Sequence, residues 1–281
     1  MKLRKQITNG AVYAVLAILS VIWVTPIAYL VVLSLKVEKG PYLDGYVLPK
    51  AYTLGNYARL FTDTSQFNFP RWFANTLIVA IFSCIVSTAF VLSVAYALSR
   101  LRFRARRPIM NIALVLGMFP GFMSIIAIYH LLKAIGLDKS HVALVLVYAG
   151  GAGLGYYITK GFFDTIPRAL DEAATIDGAT RWEIFVKITL PMSRPIITYS
   201  VLTSFMGPWV DFIVARVVMK DSYDKYTIAL GLFRMLEREN ITENYTMFCA
   251  GAVLVAIPIA ALFMLMQKNY VEGVTGGAVK G

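Results

Sequence analysis

Glu172-Ala173-Ala174-Thr175-Ile176-Asp177-Gly178, running on to Ile188-Thr189-Leu190-Pro191, is a polar, helix-forming stretch between two apolar ones. Pro167 suits the first turn of a helix, where a missing N–H costs little. Arg168–Ile176 then supplies good helix formers, and Leu170, Ala173 and Ala174 share one face at i, i+3 and i+4. Gly178 stands where a left-handed C-terminal turn wants a glycine. Thr180-Arg181-Trp182-Glu183 matches a capping box and predicts a second helix. Trp182, Phe185, Val186 and Thr189/Leu190 give that helix an apolar stripe. Pro191 is expected to stop it and Pro195 to open the next apolar span. The local prediction over 162–194 is therefore helix, glycine turn, helix. A pair of helices resting on an anionic leaflet would carry a basic excess. Here Asp171, Glu172, Asp177 and Glu183 nearly balance the basic residues, which favours docking on a protein.

The surroundings of this island read as membrane. The chain has 281 residues, of which 58% are hydrophobic and only 15% charged, with a mean hydropathy of +0.65. That is too apolar for a soluble domain of this length. A net charge of +11 says little until the charges are located. Cys84 and Cys249 both fall inside apolar runs and read as small buried hydrophobes. Lys2, Arg4 and Lys5 resemble the start of a signal peptide, but the apolar run that follows is too long for one.

A bilayer-spanning helix needs roughly twenty apolar residues. Six such spans are expected, at about 11–35, 73–99, 108–132, 141–159, 195–219 and 244–267. Only helices suit them, because backbone polar groups in lipid must be satisfied within the segment. With the N-terminus inside, segments 1–10, 100–107, 160–194 and 268–281 are cytoplasmic and hold fifteen Lys/Arg against six Asp/Glu. The remainder holds twelve against ten. The bias favours both termini inside. Its sharpest part is Arg100-Leu101-Arg102-Phe103-Arg104-Ala105-Arg106-Arg107, with five arginines in eight residues. Outside lie a first loop at 36–72, with a short helix expected at Asn56–Phe61, and a fifth loop at about 220–243, long enough to touch a soluble partner. The island is thereby placed in the cytoplasm.

The spacing Glu172-Ala173-Ala174, three residues, Gly178, nine residues, Ile188, one residue, Leu190-Pro191 matches at every defined position the EAA loop of ABC-importer permeases. The chain is identified as resembling the binding-protein-dependent carbohydrate permeases of the maltose (MalG-like) type. Asn56-Tyr57, Asn75-Thr76, Tyr96-Ala97-Leu98-Ser99-Arg100, Met118-Phe119-Pro120 and Tyr226-Thr227-Ile228-Ala229-Leu230-Gly231-Leu232 extend the resemblance over nearly the whole chain. So does the tail Gly273–Gly281. Val210 departs from it, since many sugar permeases carry Asn between Trp209 and the acidic Asp211.

The resemblance implies an all-α, polytopic type I importer permease with six transmembrane helices and a cytoplasmic coupling loop. It implies partnership with a second permease, two cytoplasmic ATPase subunits and an extracytoplasmic sugar-binding protein, in a bacterial or archaeal cell membrane. ATP and Mg would be bound by the ATPase partners and no cofactor by this chain. Glu172, Ala173, Ala174, Gly178, Trp182, Phe185, Ile188, Leu190 and Pro191 would form the coupling surface. Glu172 would face a basic residue of the ATPase, and Trp182 and Phe185 would fill an apolar cleft. Gly276, Gly277, Lys280 and Gly281 would reach the ATPase dimer interface. Asp211, an intramembrane charge, is expected at the pathway or the permease interface. Maltose or maltodextrin is the expected cargo, with another oligosaccharide or glycerol phosphate as alternatives. A secondary transporter would want a repeat or paired intramembrane carboxylates. An enzyme would want a catalytic constellation, and none is visible. Nothing points to nucleic acid.

Overall fold

The computed structural model describes residues 2–41, 48–118, 121–151 and 153–278. Among them the regular structure is helical, apart from an isolated antiparallel bridge between Lys36 and Tyr52. The helices are α1 (Lys2–Ser34), α2 (Gly55–Thr62), α3 (Phe69–Arg100), α4 (Arg106–Gly117), α5 (Gly121–Ala134), α6 (His141–Gly150) and α7 (Gly153–Asp164). Then come α8 (Arg168–Ile176), α9 (Arg181–Ile184), α10 (Leu190–Met192), α11 (Arg194–Val210), α12 (Ile213–Met219), α13 (Ile228–Met235) and α14 (Ile241–Ala278). Three helices are long and apolar enough to cross a bilayer: α1 over Asn9–Ser34, α3, and α14 over Ile241–Lys268.

The expected spans at 141–159 and 195–219 are not straight helices. The first is broken between α6 and α7 by 45° and the second between α11 and α12 by 59°. Glycines explain the first break, since Gly150, Gly151, Gly153 and Gly155 crowd it and glycine is a poor helix former. At the second, Gly207-Pro208 weakens the last turn of α11, and Asp211 leaves the helix in an extended conformation (φ −78°, ψ 118°). Its carboxylate then accepts from the Val214 and Ala215 amides at 3.3 and 3.0 Å, satisfying the first turn of α12. The expected span at 108–132 falls on α4 and α5, of 12 and 14 residues. Phe119 and Pro120, between them, lie outside the described residues.

The chain divides into two compact units, Met1–Pro70 with Leu232–Ala256, and Arg71–Gly231 with Ile257–Gly281. In the first, the short helix expected at Asn56–Phe61 is α2, and its Asn56 is buried. Its Nδ2 donates to the Ser34 and Lys36 carbonyls at 2.9 and 2.8 Å, and its Oδ1 accepts from Thr246 at 3.0 Å. α1 leaves Leu16, Ile18, Leu19, Ile22 and Trp23 exposed, an apolar face without a partner among the described residues.

The second unit is closed at the start of α3 by the chain over 223–231. Trp72 Nε1 donates to the Tyr223 carbonyl at 2.9 Å. Asn75 Nδ2 donates to the Asp224 and Tyr226 carbonyls, both at 3.0 Å. Thr76 Oγ1 accepts from the Ile228 amide at 2.7 Å. Part of what reads as a solvated loop at 220–243 is thus a buried helix start, with Tyr226, Ile228 and Leu230 nearly inaccessible. Arg216 donates to Tyr226 Oη at 2.6 Å, so it is tied to this segment instead of to Asp211.

Candidate functional site

The island folds as two capped helices around a glycine turn. α8 occupies Arg168–Ile176 with Pro167 as its N-cap residue. Gly178 takes φ +85°. The Gly178 amide donates to Thr175 O at 3.1 Å and the Ala179 amide to Ala174 O at 2.9 Å, closing the C-terminal turn. Both halves of the capping box form: Thr180 Oγ1 accepts from the Glu183 amide at 3.2 Å, and Glu183 Oε2 accepts from the Thr180 amide at 2.9 Å. A hydrogen bond from Lys187, followed by those from Thr180, holds the Glu183 pKa down at about 2.

Pro191 does not end the second helix. After α9 the chain widens into a π turn over Phe185–Thr189, with the Leu190 amide reaching Phe185 O, and α10 carries Pro191 inside it. A proline ring collides with the carbonyl four residues back in an α-helix, and the opened turn removes that collision. Ser193 Oγ takes up the Thr189 carbonyl at 2.6 Å.

The buried faces differ from the expected stripes. α8 buries one side chain, Asp171, while Leu170, Glu172 and Ala173 stay exposed and Ala174 is half-buried. The second helix buries Ile184, Phe185 and Thr189 and leaves Trp182 and Val186 outside. Phe185 packs on Tyr96 with ring centroids 4.6 Å apart, in a cluster with Leu92, Phe163, Ile166 and Ile196. It therefore belongs to the chain's own core. Leu190 packs against the same cluster, and Ile188 is half-buried. What remains outward are two large apolar side chains, Ile176, 86% exposed, and Trp182, 68% exposed, with the exposed Glu172 one helical turn before Ile176.

The end of α3 fastens the island. Arg100 and Asp171 form a buried ion pair, Nε to Oδ2 3.2 Å, with side chains 2% and 9% exposed. Among the described residues neither Arg100 Nε nor Asp171 Oδ1 makes a hydrogen bond, so the contact is an ion pair alone. Arg100 Nη2 donates to the Phe163 and Ile166 carbonyls at 3.0 and 2.9 Å. Ser99 Oγ donates to Asp164 Oδ1 at 2.6 Å. Burial works against the Asp164 carboxylate, but hydrogen bonds from Lys160 and Ser99 outweigh it and hold its pKa below the ordinary value. Tyr96 Oη donates to the Arg181 carbonyl at 3.1 Å. In the sequence Arg100 reads as one more orienting arginine, and the available signal is its place directly after the expected end of a span.

Asp211 is satisfied within the chain, accepting from Tyr148 Oη at 2.7 Å as well as from the two α12 amides. Tyr148 also borders a cavity of about 970 Å³ in the second unit, which Ser87, Ser124, Thr203 and Ser204 line together with apolar side chains. None of its described lining residues is charged. Of the tail, Gly276 and Gly277 fall within the helical stretch α14, and Lys280 and Gly281 lie outside the described residues. Among the described residues no three His, Cys, Asp or Glu are grouped to hold a metal.

Residues 89–275 match the family described as "Binding-protein-dependent transport system inner membrane component". The chain is 35% identical to the galactooligosaccharides transport system permease protein GanQ of Bacillus subtilis (strain 168), covering 100% of this chain and 99% of that one. It is also 35% identical to the maltodextrin transport system permease protein MdxG of the same organism, over 82% of each. Among solved structures it resembles a bacterial ABC transporter involved in import of the acidic polysaccharide alginate. The TM-score is 0.77 at 22% identity, covering 94% of this chain and 96% of that one, a likeness of fold alone.

Proposed function

Because the chain belongs to the binding-protein-dependent transport system inner membrane components, we propose that it forms half of the pathway by which an ATP-driven importer takes up malto-oligosaccharides. It is a permease of a sugar ABC importer, a transport component rather than an enzyme. In the proposed arrangement six spans cross the membrane with both termini inside, and a second permease completes the pathway. Two ATPase subunits bind ATP and Mg, one of them docking on the island, while a binding protein delivers sugar from the other side.

The observation that carries this is the outward face of the capped helix pair. Ile176 and Trp182 are large, apolar and exposed on a rigid, charge-balanced element. Such a surface suits a protein cleft better than lipid. A short, doubly capped helix pair also transmits a rigid-body rotation better than a loose loop. Glu172, exposed one turn before Ile176 on the same helix, would meet a cation of the ATPase. The cargo assignment draws on the uncharged cavity lining, which suits a neutral saccharide and offers nothing to hold the phosphate of glycerol phosphate. Maltodextrin is favoured over galactooligosaccharide by the resemblance of the tail and of Tyr148-Ala149-Gly150-Gly151 to maltose permeases.

Uptake of labelled maltotriose by a strain lacking this chain, with and without the chain restored, tests the proposal. Restoration of maltotriose uptake is expected, with no restoration of glycerol phosphate uptake. The reverse pattern would overturn the cargo assignment.

A further inference from the structure

We infer that the Arg100–Asp171 pair is the joint through which movement of α8 enters the membrane helices, so that Arg100 and Asp171 are positioning residues that set sugar moved per ATP. The inference rests on the coupling role of the island proposed above. α8 buries no apolar side chain; its one buried side chain is Asp171. The helix is therefore attached through a charge rather than through a packed apolar face. An apolar face can slide as its contacts readjust, but a buried ion pair resists separation, because each partner would be left as an uncompensated charge.

The other side of the pair is branched. Arg100 is the last residue of α3, and its guanidinium also holds the carbonyls of Phe163 in α7 and of Ile166 just beyond it. One planar group thus joins α8, α3 and the end of α7. The fork geometry of guanidinium permits this, and an ammonium would not reproduce it. Asp171 engages through Oδ2 alone while Oδ1 accepts nothing among the described residues. The contact can therefore pivot without surrendering a second bond. Ser99 to Asp164 and Tyr96 to the Arg181 carbonyl flank the joint and keep neighbouring backbone in register. Arg100 and Asp171 are nearly inaccessible, so the ATPase cleft would not touch them directly.

The test uses the whole importer in lipid vesicles, with the permease pair, both ATPase subunits and the binding protein, supplied with maltotriose. Asp171→Asn keeps the shape and removes the charge; Arg100→Lys keeps the charge and removes the fork. Both variants are expected to retain the ATPase subunits on purification and to hydrolyse ATP near the wild-type rate. Maltotriose taken up per ATP hydrolysed should fall about tenfold. Unchanged uptake per ATP in both would overturn the inference. So would loss of insertion or of bound ATPase in both, since the pair would then be a folding or docking contact. Failure of Ile176→Cys, in a complex otherwise unchanged, to cross-link to an ATPase subunit would instead overturn the coupling role of the island, separately from the pair.

Discussion

Gly178 adopts φ +85°, and a Cβ built there would meet nothing within 4 Å. The demand for glycine is thus conformational and not steric, about 1–2 kcal/mol for an ordinary L residue. Asn and Asp both tolerate this conformation and differ chiefly in charge. Gly178→Asn is expected to keep ATPase co-purification and transport near wild type, while Gly178→Asp should lose both with the permease still inserted. Equal loss in the two would place the effect in the turn and not in the docking surface. Gly231 is the opposite case. A Cβ there would lie 1.9 Å from Trp72 Cε3, on a ring that is itself buried. Gly231→Ala should destabilise the permease by at least about 1–3 kcal/mol, read as a lowered midpoint of thermal unfolding in detergent. An unchanged midpoint would mean that the ring can move aside.

At the scale of elements, caps were legible in the sequence and breaks were not. Pro167, Gly178 and Thr180 with Glu183 act on neighbours within a few residues, so their pattern is complete in the local chain. The π turn before Pro191 begins at Phe185, which packs on Tyr96, a contact that local spacing does not reveal. The breaks at Gly150-Gly151 and at Asp211 sit in runs apolar enough to read as continuous spans. Arg100 and Asp171 are far apart in the chain, and no periodicity links them. For the second helix, Thr180→Ala should cost about 1 kcal/mol of local stability. Hydrogen exchange at the Glu183 amide, which Thr180 Oγ1 accepts, should speed up accordingly. The carboxylate half of the box follows pH with a definite sign. The Glu183 pKa is lowered from 4.5 to about 2, so its contribution is intact above about 4.5 and is lost as the pH falls toward 2. Exchange protection corrected for intrinsic rate should therefore be the same at pH 7 and pH 5.5. A drop between those values would contradict the assignment.

Over the whole molecule, charge placement carries the topology and hydrophobicity alone does not. The arginine run at 100–107 and the island at 160–194 are assigned to one side, and the segment around Tyr223 to the other. In a chain with Cys84 and Cys249 replaced by alanine, Arg104→Cys should resist a membrane-impermeant thiol reagent in intact cells, and Tyr223→Cys should react. Labelling of both from outside would refute the orientation. Family and fold were legible because the EAA spacing and the apolar runs are features of the chain itself. The cargo was less so, because the cavity is lined by small hydroxyl-bearing and apolar side chains, such as Ser87, Thr203 and Ser204, that in the sequence look like any helix packing. The central claim, that the helix pair around Gly178 is the seat of an ATPase subunit, is tested most directly by cross-linking from Ile176→Cys, whose side chain points clear of its own chain. In the assembled importer the account predicts a cross-link to the ATPase whose yield changes when ATP is added. A cysteine there that reacts only with lipid or with the second permease, and never with the ATPase, would contradict it.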